Sequence, residues 1–472
     1  MTVFLDGSSL TIEELVRVAR EKARIELTDL ARERIRRSRM IVDETYKSGK
    51  TVYGLNTGVG VLKRANVDGD VAFFNRRMLE FHQLAQGPLY KEEIVRAATC
   101  RLINQYASGV SGVRLELVEH LVAGLNWGDT FTVHADGNLL LTNADFAIGL
   151  VGDFDLSYGE ALTLLGQTTL TDAQAALLLH DLGTLLGNME AAAALSLEGF
   201  AAKLSPLDER VAALKKVKGF TESSEKMRSY LQGSTLFHTD QPRNLQDPCS
   251  FRNTAYLTGS LRDCLEYTRR VISNQLNSSA GNPVVDLESA TVLHAPNWEI
   301  QNVASALDFV KISLVPPAFA SQECTIKLLD KFWSGLPTGL VGTAEQSESG
   351  LAMYQILVAS YAYKLKFAAA PTSFDVTTTS QAEGIEDRET GGVFTISTLK
   401  EMLDLTKKIV AIEFVVAAQA AELRREAEIP AGLQSILKIV RETFPFVRIG
   451  DALPRDFSGL LQAMDAGRMI AA

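Results

Sequence analysis

Apolar side chains recur at helical spacing through most of this chain. Leu399, Met402, Leu405, Ile409, Ile412 and Val416 lie three or four residues apart, which predicts a long helix with that stripe buried. Residues 254–276, 298–325 and 345–369 carry Ala- and Leu-rich patterns of the same kind and predict further long helices. Helices of that composition pack on several sides in a bundle. Near the start, Thr11-Ile12-Glu13-Glu14 has the form of a capping box, followed by Leu15, Val18 and Ala19 on one face. Alternation with period two is rare, and Thr130-Phe131-Thr132-Val133 is the example of a short strand. Glycine and polar residues punctuate 53–60, 281–283 and 372–392. The last stretch is long for a loop in a compact domain, and such loops are usually functional or disordered. The expectation is an all-α, mainly helical fold on a long central bundle. A smaller N-terminal loop-and-helix region would cover residues 1–200 and the bundle 201–472, although no composition break marks the division.

Composition narrows the function classes. The chain has 472 residues, 46% hydrophobic and 22% charged, enough to bury a large core. Its net charge of −10 argues against a nucleic-acid binder, which needs a basic face. The run Arg32-Glu33-Arg34-Ile35-Arg36-Arg37 reads as one solvated helix face. Four widely spaced cysteines, Cys100, Cys249, Cys264 and Cys324, form no CxxC pair and suggest reduced thiols in a cytoplasmic protein. No signal-peptide pattern opens the chain. Apolar stretches such as Ile409 to Ala420 are broken by charge, and none is expected to reach the ~18 residues of a membrane span. The six histidines show no metal spacing, and no P-loop, HExxH or dinucleotide fingerprint appears. A soluble protein with a small-molecule substrate, no metal, no nucleic acid and no membrane partner is expected.

A series of motifs then points to a family. Tyr53-Gly54-Leu55-Asn56-Thr57-Gly58-Val59-Gly60 is a Gly-rich loop that can bring backbone close to a ligand and hold a phenol over it. Arg77 to His82 and Arg96 to Arg114 follow it. Gln246-Asp247-Pro248-Cys249-Ser250-Phe251-Arg252, Asn277-Ser278-Ser279-Ala280-Gly281-Asn282-Pro283, His294-Ala295-Pro296-Asn297-Trp298 and Glu386-Asp387 come after, in that order. In this order they resemble the YGxNTGxG, QDxYSxR, NSxxDNP, HGGNFHG and QED motifs of the histidine and phenylalanine ammonia-lyase family. The resemblance implies that Tyr53 is a catalytic base or its partner and that Glu386 is a catalytic-site glutamate. It also implies that Arg252 pairs with a substrate carboxylate, a task a bidentate guanidinium suits. His82, Asn277 and Lys364 would be further substrate-binding positions. Family members are usually homotetramers, so a homotetramer is expected.

The chain departs from that family where the family's chemistry begins. Its members build an electrophilic methylideneimidazolone, MIO, from an Ala-Ser-Gly triplet. Here the aligned residues are Thr142-Asn143-Ala144. The methylidene arises by loss of a β-hydroxyl, which asparagine lacks, so MIO is expected to be absent and no other cofactor is implied. The asparagine of an NGT motif is Leu182, the tyrosine of QDxYS is Cys249, and a glutamate ahead of Lys366 is Lys364. A literal Ala-Ser-Gly at 107–109 falls in a helical region, away from the family's cofactor loop.

Two functions follow. The first is an MIO-independent, C–N lyase-like enzyme acting on a carboxylate-bearing aromatic or activated substrate. Tyr53, with its pKa lowered by neighbours, would take the proton. A quaternary ammonium leaving as a tertiary amine needs no electrophile, and such elimination is known in a family member lacking MIO. The alternative is a catalytically inactive homologue serving as a binding or partner subunit. Whether the reaction is elimination, isomerisation or addition, and on which substrate, is open at this point.

Overall fold

A computed structural model describes residues 2–67, 69–238, 243–341, 349–374, 380–424 and 429–470. The fold is mainly α, as the periodicity predicts. The described strands are short and form three two-stranded pairs. The chain separates into two compact units, each of three segments: 1–180, 269–307 and 372–396, and 181–268, 308–371 and 397–472. These differ from a single cut near residue 200. Four of the five boundaries fall inside the continuous helices Thr169–Phe200, Thr254–Leu276, Gln301–Leu329 and Gly392–Leu423, so no linker separates the units there.

In the first unit, Val3–Leu5 pairs in parallel with Ile25–Leu27. Helix Ile12–Arg20 starts on the capping box read from the sequence. Thr11 Oγ1 accepts the Glu14 N–H at 3.1 Å, and the Glu14 carboxylate accepts the Thr11 N–H at 3.0 Å. The charged run at 32–37 lies on helix Asp29–Lys47, with Ile35 buried and Arg36 and Arg37 exposed. Helix Glu92–Ala107 is buried from Val95 onward. Its Arg101 is wholly buried against Asp172 at 3.2 Å and donates to the carbonyls of Gln275 and Ser278. The expected strand at 130–133 is instead His134–Asp136, paired with Gln86–Leu89. The ladder begins only where the chain meets a partner strand, which alternation alone does not specify.

In the second unit, Leu399, Met402, Leu405, Ile409, Ile412 and Val416 are all buried. So are Val410, Ala411, Phe414, Val415, Ala417 and Ala418. From Ile409 to Ala420 the helix is enclosed on every side, whereas before that, with Lys400, Glu401 and Asp404 exposed, it buries a stripe. The helix expected from 345 is Tyr354–Ala368, preceded by a short 3-10 turn at 350–353; its predicted start lies outside the described residues. Helix Gln301–Leu329 corrects the expectation about apolar length. By length and composition it could cross a membrane, and 61% of its most apolar stretch is buried inside the fold, as in a core helix.

Glu413, within the enclosed helix, accepts Ser196 Oγ at 2.7 Å and Ser321 Oγ at 2.5 Å. Burial pushes its carboxyl up to about 7, against the pull of those two hydroxyls. The folded state therefore holds this proton more tightly than the unfolded chain. The stability it contributes is complete below the unfolded carboxyl's pKa and is lost as pH rises through about 7. Urea midpoints measured from about pH 5 to pH 8 should fall less steeply for Glu413→Gln than for the parent.

Candidate functional site

The Tyr53 loop is held by its own side chains. Asn56 Oδ1 accepts the Val52 N–H at 2.8 Å, and its amide donates to the Lys50 carbonyl. Thr57 Oγ1 accepts the Gly54 N–H at 3.1 Å. Gly58 is required, because a Cβ there would stand 2.5 Å from the Leu62 carbonyl oxygen. So folded, the loop turns the half-buried Tyr53 back on itself, and its phenol oxygen accepts the Gly60 N–H at 2.9 Å.

Burial is the main influence on that phenol and raises its pKa. The Gly60 N–H opposes the rise, the Glu386 charge adds to it, and the net direction is upward. This corrects the expectation that neighbours lower the pKa of Tyr53, since among the described groups acting on it the charged one is an anion. A small cavity lies beside the ring, lined among others by Leu55, Ser111, Thr163, Pro283 and Val292. At about 30 Å³ it has room for a water or two and not for an amino acid.

Glu386 belongs to the same unit and is half-buried. Its backbone pairs with Gln381, closing a tight turn at 381–386. Lys63, from the Tyr53 loop, donates to the Ala382 carbonyl at 3.3 Å and to the Glu383 carboxylate at 2.7 Å. Beyond the turn, Glu299 accepts from Arg388 and Thr390, and Gln301 Oε1 accepts from Arg388 at 3.0 Å. Lys63 thus ties the Tyr53 loop to the turn that carries Glu386, whose charge acts on the Tyr53 phenol. The residues that tie down the segment around Glu386, namely Lys63, Glu299 and Arg388, were not singled out from sequence. Their only signal is charge scattered far apart along the chain. Within the 372–392 stretch, residues 375–379 lie outside the described residues.

The Thr142-Asn143-Ala144 triplet is helical. It lies in helix Leu139–Val151, capped by Asn138, and all three residues are buried. The Asn143 amide donates to the Leu165 and Gln167 carbonyls at 2.8 and 2.6 Å. On the same helix Asp145 accepts from Gln83 at 3.0 Å and from both the backbone and ring of His134. These bonds outweigh burial and hold its carboxyl below the usual range. An MIO does not fit these residues. Asn143, at the position of the cyclising serine, has no β-hydroxyl to lose, the backbone is helical rather than tightly turned, and the Asn143 side chain is tied to two carbonyls. Ala107-Ser108-Gly109 ends helix Glu92–Ala107, with Ser108 as its cap residue.

His82 Nδ1 lies 2.7 Å from the Met78 carbonyl, so it carries the proton and leaves Nε2 with the free lone pair in the neutral ring. Asn277 does not fit the substrate-binding role implied for it. Its amide donates to Leu10 and Ser273 carbonyls, and its oxygen accepts from the Leu10 N–H and from Asn104. With every donor and acceptor engaged, it fastens the N-terminal segment instead.

In the second unit, Arg252 closes the short helix Cys249–Arg252. Its Nη2 donates to the Cys249 thiol at 3.2 Å, and its Nε is buried with no acceptor among the described residues. A buried guanidinium N–H without an acceptor is costly and suits an incoming carboxylate. Lys364, on helix Tyr354–Ala368, is exposed.

Comparison with known proteins identifies the family. The family model described as Aromatic amino acid lyase matches residues 10–147 and 132–442. Histidine ammonia-lyase from Caldanaerobacter subterraneus subsp. tengcongensis is 29% identical, with 93% of this chain and 92% of that protein covered. Histidine ammonia-lyase from Anaeromyxobacter dehalogenans is also 29% identical, over 99% of both. Among solved structures, ergothionase from Treponema denticola, in complex with desmethyl-ergothioneine sulfonic acid, superposes with a TM-score of 0.92. It is 26% identical, with 99% of this chain and 98% of that one covered. Tyrosine aminomutase from Streptomyces globisporus has the same fold, with a TM-score of 0.92 at 23% identity over 99% and 98% of the two chains. This chain is a member of the aromatic amino acid lyase family.

Proposed function

We propose that this lyase works without MIO, eliminating a tertiary amine from a carboxylate-bearing substrate whose leaving group is a quaternary ammonium. The observation that carries the reading is Asn143, helical, buried and bonded to two carbonyls where the family places its cyclising serine. Without an electrophile to activate a primary amine, the substrate must bring its own good leaving group. Tyr53 takes the β-proton, and Arg252, whose Nε lacks an acceptor, receives the carboxylate. A fixed cation favours the Tyr53 phenolate that Glu386 and burial oppose, and Glu386 supplies the anion to meet it. Likeness to the Treponema denticola ergothionase supports this substrate class. Assembly as a homotetramer and a cytoplasmic location are part of the same proposal.

An ultraviolet assay tests it. Histidine, phenylalanine and tyrosine are offered beside their Nα-trimethylated forms, and conjugated acrylate is followed. Acrylate from the trimethylated set alone supports the proposal, whereas acrylate from the free amino acids refutes it. The raised pKa of Tyr53 favours the second reading, an inactive homologue that binds a carboxylate, and silence with every substrate would move the balance to it.

A further inference from the structure

The turn that presents Glu386 is built from an unusual backbone. Ala382, Glu383 and Gly384 all have positive φ, 50°, 60° and 84°. Two consecutive non-glycine residues in the left-handed region are uncommon and persist only where their surroundings hold them. The Gln381–Glu386 backbone pairing closes the turn, and Lys63 holds it from outside. Its side chain is 17% exposed, and its ammonium bonds both the Ala382 carbonyl and the Glu383 carboxylate. Lys63 is itself fixed, because the Gly58 N–H to Ala65 carbonyl bond and the Thr57–Asn66 bridge close the loop around it. Gly60, which donates to the Tyr53 phenol, packs against the same turn; a Cβ on it would lie 3.7 Å from the Ala382 Cβ. One ammonium therefore joins the loop of the base to the turn of the glutamate.

We propose that Lys63, acting through Glu383, is a positioning residue that latches the strained turn at 382–384 and so sets where Glu386 stands against the Tyr53 phenol. Glu299 and Arg388 anchor the far side of the segment, which leaves Lys63 as the tie on the Tyr53 side. The inference rests on Tyr53 and Glu386 being the proton-handling pair, but its test needs no substrate.

Hydrogen–deuterium exchange on the full chain is compared for the parent, Lys63→Met, Glu383→Gln and the exchanged pair Lys63→Glu/Glu383→Lys. The Glu383 side chain is 55% exposed, so its variant keeps the core intact should Lys63→Met fold poorly. Amides at 381–386 should exchange about tenfold faster in both single variants and recover in part in the exchanged pair, which remakes the ion pair but not the bond to the Ala382 carbonyl. In parallel, tyrosinate absorbance is read against a Tyr53→Phe control in each background. Release of the turn should move the Tyr53 midpoint down as Glu386 withdraws, and the exchanged pair should restore it in part. Unchanged exchange in Glu383→Gln overturns the proposal. So does faster exchange with an unmoved Tyr53 midpoint, because the latch would then be structural only. A failed elimination assay would remove the proposed reaction and leave these two readouts as they are.

Discussion

Tyr53→Phe should abolish acrylate formation from a trimethylated substrate, lowering kcat by about 10²–10⁴-fold with little change in KM. The ring and its packing remain, and only the phenol oxygen that accepts the Gly60 N–H is lost. The pH profiles carry a finer prediction. In the free enzyme, burial and Glu386 together outweigh Gly60, so the rising limb of kcat/KM, on which Tyr53 ionises to become the base, should be shifted upward from the ordinary tyrosine range. A bound cation favours the phenolate, so the corresponding limb of kcat should lie at lower pH. Equal limbs would mean that the substrate's charge does not act on Tyr53. A large loss of KM alone in Tyr53→Phe would make the residue a binding group rather than the base.

Arg252→Met should lower kcat/KM by about 10–10²-fold, most of it through KM, because a charged hydrogen bond to the substrate carboxylate is lost at nearly constant volume. A substrate analogue with an amide in place of the carboxylate should lose little further on the variant, and that double comparison isolates the pair. An unchanged KM would place the carboxylate elsewhere, with exposed Lys364 as the next cation to replace. The parent melting temperature should be nearly retained, since among the described residues the guanidinium gives up one hydrogen bond, from Nη2 to the Cys249 thiol, while Nε has no acceptor to lose.

The helices were legible because their signal is local. Thr11 and Glu14 cap the helix they announce, and Leu399 to Val416 bury the stripe they trace. The family was legible through short motifs, those of Tyr53 and Arg252 among them, whose order along the chain is itself informative. Asn277 was misread because a motif names a residue and not its hydrogen-bond partners, which here lie as far away as Leu10. The direction of the Tyr53 shift was misread for a similar reason. It depends on burial and on Glu386, more than 300 residues away in sequence, and neither is written in the loop. Lys63 and Glu383 are two ordinary surface-type residues by composition, and only the fold makes them a pair.

The account stands on the triplet at 142–144, so the most direct measurement is the mass of the peptide that contains it, taken from the purified protein. Cyclisation and dehydration each remove a water. The full mass calculated from Thr142, Asn143 and Ala144 is predicted, with the peptide unmodified. A peptide lighter by one or more waters across these three residues would contradict the account, because the chain would then carry a cyclised or dehydrated group where the proposed reaction needs none.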